Sequence, residues 1–156
     1  MPKISPFLWF DTQAKDAAEF YVSLFPNSKI TRVVLNTGEA PGVKGSVLTV
    51  SFELDGQPVG ALNGGPYFKL NEAFSFVVHC RDQAEIDHYW DALLDGGSAH
   101  ACGWLKDKFG LSWQIVPEAF FTMIADADPA KSGRVMAAMM KMIKFDIAKL
   151  EDAYAG

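Results

Sequence analysis

A chain of 156 residues, 49% of them apolar and 21% charged, can bury a substantial core as one domain or as two small modules sharing a core, and its 12 Phe, 4 Trp and 4 Tyr exclude a disordered polymer. A net charge of −5 with no basic run argues against nucleic acid and anionic membranes as partners, since both need clustered Lys and Arg. The composition suits a small neutral or weakly polar ligand.

Met1-Pro2-Lys3 leads directly into a strand pattern, and no apolar run is long enough to cross a bilayer, so a cytoplasmic protein is expected. Cys80 and Cys102 read as free thiols of a reducing compartment. Residues 3–10 are β-prone, with Pro6 tolerable at an edge, a strand start or a bulge. In residues 13–25, Ala14, Ala17, Ala18, Phe20, Tyr21, Leu24 and Phe25 recur at helical spacing; Thr12 is the expected cap, and Pro26-Asn27 ends the run. Strands follow at 29–36 and 46–54, joined by a Gly- and Pro-bearing loop. After the Asp55-Gly56 turn, a strand over 57–63 ends in Gly64-Gly65-Pro66, where backbone or ligand can approach closely. The order is β-α-β-β-β.

Residues 73–80 begin a second such run as a strand. The helix over 82–94 carries Ile86, Tyr89, Trp90, Leu93 and Leu94, and Gly96-Gly97 closes it. Residues 98–105 and 111–116 complete the set as strands around the charged turn Lys106-Asp107-Lys108-Phe109-Gly110, read as solvated, with Gly110 supplying a positive φ. The repeat aligns without gaps: Trp9, Asp16, Ala17, Phe20, Tyr21, Leu24 and Phe25 fall on Val78, Glu85, Ile86, Tyr89, Trp90, Leu93 and Leu94. Module one spans about residues 3–66 and module two about 73–117 of a single domain; they are expected to pair, within the chain or with a second copy, around a cleft. A helical segment over 118–156 follows. There Asp128-Pro129 starts a Met-rich helix reaching Ile143, whose Met136, Met139, Met140 and Ile143 are expected to seal the sheet in preference to forming a dimer contact, and Asp146 caps a last helix.

The strings PFLWFDTQAKDAAEFYVSLFP, ALNGGP, FSFVVHC and CGWLKDKFGLSWQIVP together resemble the PhnB-like branch of the vicinal oxygen chelate superfamily, the glyoxalase/bleomycin-resistance fold, a group also labelled demethylubiquinone methyltransferase-like. The resemblance implies an α+β protein of paired βαβββ modules forming a cup-shaped mixed sheet, commonly in a homodimer. Metal-using members of the superfamily hold a divalent ion in that cup. Carried over by register, their ligand positions fall on Pro6, Asn63, Ser75 and Gln114.

Pro6 has no side-chain donor and Ser75 is a poor one, so neither a metal nor another cofactor is expected. Asn63, Ser75 and Gln114 are candidate polar contacts for a small molecule, with Trp9, Phe68 and Trp104 as apolar walls; Trp113 should oppose Gln114 across the sheet. His79 shares the parity of Ser75 and is the one catalytic candidate, as a base, though it has no carboxylate partner in a recognisable spacing. The alternatives are an enzyme of the same fold using a weakly held ion or His79, and a structural or regulatory dimer. A methyltransferase is not expected, because no Gly-rich turn joins a strand to a helix.

Overall fold

The computed structural model describes residues 2–156 and resolves into two compact units, Met1–Leu70 and Asn71–Gly156. The first contains β1 (Phe7–Phe10), α1 (Ala14–Leu24), β2 (Lys29–Leu35), β3 (Val47–Leu54) and β4 (Gln57–Asn63). The second contains β5 (Ser75–Cys80), α2 (Gln83–Leu94), β6 (Ser98–Ala99), β7 (Trp104–Lys106) and β8 (Ser112–Pro117), followed by α3 (Glu118–Ile124), α4 (Pro129–Met139) and α5 (Ile147–Ala155). The class is α+β. The strand orders match: β1-β4-β3-β2 in one sheet and β5-β8-β7-β6 in the other, with β1/β4 and β5/β8 parallel and the remaining pairs antiparallel.

In the first unit Ala14, Ala17, Ala18 and Tyr21 form the buried stripe of α1. Three alanines let that helix settle close to the sheet, and the Tyr21 ring meets Phe52 with centroids 6.4 Å apart. The sheet answers with one buried face, Leu8, Phe10, Val50, Phe52, Val59 and Ala61. Thr12 does not cap the helix. Gln13 is the N-cap residue and offers no side-chain bond, while Asn63 Oδ1, arriving from β4, accepts from Ala14 N at 2.8 Å. The cap thus comes from 49 residues away, where no local pattern could reveal it.

The second unit repeats the arrangement with a bulkier helix face, Ile86, Trp90 and Leu93, over the buried side of its sheet, Val78, Cys80, Leu105, Trp113 and Ile115. Here the cap is local: Asp82 Oδ1 accepts from Glu85 N at 2.9 Å. The gapless repeat holds along the helices but slips in the strands. Three residues, Asp11 to Gln13, separate β1 from α1, whereas two, Arg81 and Asp82, separate β5 from α2. Trp9 therefore lies on the face away from the helix, as His79 does, and its counterpart is His79 and not Val78.

The charged turn is not simply solvated. Lys108 is exposed, but Asp107 is 3% exposed and its carboxylate accepts from Phe109 N (2.8 Å), Leu111 N (3.1 Å) and Trp113 Nε1 (2.8 Å). Gly110 has the expected positive φ, 90°.

The Met-rich helix ends at Met139, and Met140 and Ile143 are 62% and 57% exposed. Beyond α3, the buried apolar side chains are instead Val135, Met142, Phe145 and Leu150. Residues 142–147 are joined to the βαβββ body by backbone bonds, Cys102 N to Met142 O (2.8 Å) and Gly103 N to Ile143 O (2.7 Å). Gln83, the first residue of α2, adds two more: its Nε2 donates to Phe145 O and its Oε1 accepts from Ile147 N, both at 2.9 Å. The Phe145 ring lies where a Cβ on Gly103 would stand, so residue 103 has to be glycine on steric grounds as well as for its φ of 80°.

Candidate functional site

In each unit one sheet face is covered by the long helix. On the other face of the second unit, register places Ser75, Val77 and His79 of β5 beside Ser112, Gln114 and Val116 of β8, with Trp104 of β7 across from Gln114. Ser75, Trp104 and Gln114 are half-buried, and Trp113, 2% exposed, points to the opposite side as strand alternation requires. Gln114 Nε2 donates to Ser75 Oγ at 2.9 Å. That bond fixes the amide and leaves its Oε1 as an acceptor beside the serine O–H, which is free to donate onward.

Ser112 is the polar neighbour that residue-type reasoning passed over. It lies two residues before Gln114 and pairs in register with Ser75, and its buried Oγ has no hydrogen-bond partner. Strand parity alone would have brought it into the group. Lys106, which pairs in register with Ser112, has its ammonium bound to Glu72, and Glu72 is held below the usual carboxylate range first by that hydrogen bond. His79 is exposed, with its ring 5.2 Å from that of Phe121 on α3, and no carboxylate pairs with it among the described residues.

Asn63 is in the first unit. It shares the helix-facing side of its sheet with Ala61 and Phe10, and its amide is engaged at both ends, with Ala14 N and with Val47 O (3.0 Å). A pocket of about 500 Å³ passes beside it at the start of α1, between Lys15, Ser46 and Tyr67. Asn63, expected as a polar contact for a ligand, is thus a helix cap on the covered side of its own sheet, and the other side of β4 carries Pro58, Gly60 and Leu62.

Trp9 and Phe68 do come together in the first unit, with ring centroids 5.0 Å apart and planes at 80°. Pro6 precedes β1, contributing only its carbonyl, which accepts from Gly60 N. Of the four positions carried over from the metal-using pattern, Pro6 has no side-chain donor, Asn63 is on the helix-facing side of its sheet, and Ser75 and Gln114 are bonded to each other. Among the described residues no group of three or more His, Cys, Asp or Glu is placed to hold a metal.

A groove of about 1070 Å³ runs along the second unit from Arg81 and Gln83 to residues 141–151. It contains none of the expected site residues, and three of its four acids are committed: Asp82 and Asp146 cap helices, and Asp87 pairs with Lys144 at 2.8 Å. Cys80 is buried, and its thiol is pushed up to about 12, first by burial and then by Glu85, Asp82 and Glu118. Cys102 is half-buried with a φ of 62° and lies 3.9 Å from Met140 Sδ; both cysteines are free. His88 and His100 are on the surface.

The model of the family described as 3-demethylubiquinone-9 3-methyltransferase matches residues 2–116. The chain belongs to that PhnB-like family of the vicinal oxygen chelate superfamily. The PhnB protein of Bacillus cereus, which carries the same methyltransferase label, is 32% identical over 74% of this chain and 99% of that one, with a TM-score of 0.69. Protein PA1353 of Pseudomonas aeruginosa shares the fold at 20% identity over 76% of this chain and 98% of that one, TM-score 0.61. The fosfomycin resistance protein FosX of Mesorhizobium loti stands further off, at 11% identity, TM-score 0.49, and 74% and 91% coverage. No curated protein matches the chain. Within this PhnB-like chain the strand-to-helix turns, Asp11 to Gln13 and Arg81-Asp82, contain no glycine, so nothing at either helix start matches the phosphate-cradling turn of a nucleotide cofactor site. The helices α3, α4 and α5 lie beyond the matched residues.

Proposed function

We propose that this PhnB-like protein binds a small uncharged molecule on the strand face around Gln114, without a metal ion and without methyl transfer. The observation that carries the proposal is the oriented Gln114–Ser75 pair: an open acceptor, Gln114 Oε1, beside an open donor, the Ser75 hydroxyl. Such a pair complements a guest that has its own donor and acceptor on adjacent atoms, as in a primary amide or a hydroxyketone. Trp104 and Val77 flank the pair in register and offer apolar surface to the rest of the guest. The unpartnered Ser112 Oγ supports the same reading, because a buried hydroxyl costs about 1–3 kcal/mol until something bonds it. Among the described residues no helix is long and apolar enough to cross a membrane, and the proposal includes a homodimer acting in the cytoplasm. Catalysis by His79 is left out, since its ring packs on Phe121 and has no acid to orient it.

Side-chain amide NMR tests the proposal directly. Benzamide, which presents both a donor and an acceptor, is expected to shift the Gln114 resonance saturably, whereas methyl benzoate, an acceptor alone, shifts it less; Gln114→Leu abolishes binding. If a series of amides and hydroxyketones leaves the Gln114 and Ser75 signals unmoved, the proposal is wrong.

A further inference from the structure

We infer that Cys102, Met140 and Met136 form a site for a soft monovalent metal ion, copper(I), held by sulfur alone. Cys102 Sγ lies 3.9 Å from Met140 Sδ; the thiol is half-buried, and Met140 is 62% exposed. Met140 N bonds to Met136 O at 3.0 Å, so Met136 stands one turn earlier on the same side of α4 and brings a second thioether. Met136 is itself 39% exposed, and its flexible side chain lets the sulfur swing. All three residues belong to the second unit.

The sulfurs do not depend on each other to meet. Cys102 N donates to Met142 O at 2.8 Å and Gly103 N to Ile143 O at 2.7 Å, and these backbone bonds set the thiol beside the end of α4. An ion arriving there finds two donors already in place, which lowers the cost of binding it. Their spacing also says how many donors it takes. Two metal–sulfur bonds of about 2.3 Å across the 3.9 Å gap meet at about 115°, close to a trigonal centre and far from a linear one. A trigonal centre needs a third donor, and Met136 supplies it.

Donor chemistry selects the ion. Thiolate and thioether sulfur suit copper(I), whereas a zinc site draws on thiolates, imidazoles and carboxylates. Among the described residues no group of three or more His, Cys, Asp or Glu is placed to supply those. Charge points the same way: one thiolate and one monovalent cation cancel, the thioethers are neutral, and a half-buried place then carries no net charge. Binding forms the copper–thiolate bond and releases the thiol proton to water. His100 is two residues before Cys102 and is on the surface; Glu72, held low first by its bond to Lys106, also feels that imidazole, which sets His100 toward the Lys106 pair. The site uses none of Pro6, Asn63, Ser75 and Gln114.

Copper(I) offered anaerobically to the whole chain as its bicinchoninate complex tests the inference. The expected result is transfer of one ion per chain, protection of Cys102 from iodoacetamide, and an X-ray absorption spectrum showing sulfur donors only. Met140→Leu and Met136→Leu, each close to the original volume, are expected to weaken binding about ten-fold or more, and Cys102→Ser to leave the copper with the chelator. Cys80→Ala and His100→Gln are expected to change nothing. Because Met140 is exposed, its replacement leaves the core intact and makes Met140→Leu the decisive variant. Cys102→Ser is expected to keep the benzamide response of Gln114, so this inference and the reading of the Gln114 face fail separately. Copper(I) staying with the chelator, parent-like affinity in Met140→Leu (a thiol acting alone), nitrogen bound to the ion, or one ion shared between two chains overturns it.

Discussion

Replacing Asp107 by alanine removes one carboxylate from the interior of the second module and strands three N–H groups, those of Phe109, Leu111 and Trp113 Nε1. The Phe109 amide can turn to water. Leu111 and Trp113 are 1% and 2% exposed, and their donors cannot. At about 1–3 kcal/mol for each buried donor left unpaired, with a smaller loss at Phe109, the expected destabilisation is about 3–5 kcal/mol. That is a large part of the roughly 5–15 kcal/mol that holds an ordinary domain together. Asp107→Asn keeps the volume but turns an N–H toward one of the donors, and is expected to lose about 2 kcal/mol. Urea denaturation followed by tryptophan fluorescence measures both. A cycle with Trp113→Phe isolates the indole bond: the second substitution is expected to cost less in the Asp107→Ala background, with a coupling of about 0.5–3 kcal/mol. A cost below about 1 kcal/mol for Asp107→Ala, the level of an ordinary surface change, would refute the role assigned to this turn.

Asn63→Ala deprives Ala14 N of its distant cap and is expected to cost about 1–2 kcal/mol, lowering Tm by roughly 2–8 °C while leaving the benzamide response of Gln114 unchanged. Iodoacetamide at pH 8 is expected to label Cys102 and spare Cys80, whose thiol is buried and pushed up to about 12; peptide mass spectrometry showing Cys80 labelled first in the native protein contradicts this. The end of α5 is held by the Tyr154 hydroxyl donating to Asp126 Oδ2 and by Arg134, which donates to Ala153 O and Tyr154 O. Asp126 is shifted below 3.8 chiefly by that Tyr154 bond, so its contribution is present above the unfolded value and is lost as pH falls through the folded one. Tyr154 is shifted above 10.0 chiefly by the same bond, so its contribution is present below the unfolded value and is lost as pH rises through the folded one. Limited proteolysis is therefore expected to release residues near the C-terminus faster at both extremes than at neutral pH, and Tyr154→Phe to abolish the alkaline limb.

Some of this was written locally. Helical spacing at Ala14, Ala17, Ala18 and Tyr21, and again at Ile86, Trp90 and Leu93, marks the two helices, because a period of 3.6 residues is a property of neighbours in the chain. Strand alternation likewise puts Trp113 and Gln114 on opposite sides, and a positive φ at Gly110 follows from the turn it closes. The doubled order of elements, and with it the family, could be read from residues alone.

Tertiary structure decided what each polar group does. Asn63 became a helix cap and Asp107 an interior acceptor because their donors, Ala14 N and Trp113 Nε1, are brought to them by folding, and a carboxylate in a charged turn looks the same whether water or an indole will bond it. One additional residue between β1 and α1 was enough to turn Trp9 to the face that His79 occupies in the second module, since side chains alternate at every step of a strand. The Met-rich helix stopped at Met139, and Met142 and Phe145 went inside in place of Met140 and Ile143, because Gln83 and the Cys102–Gly103 backbone hold residues 142–147 in a path no periodicity encodes. Periodicity says which side of an element is apolar; only the packed chain says which distant group stands opposite a given polar atom.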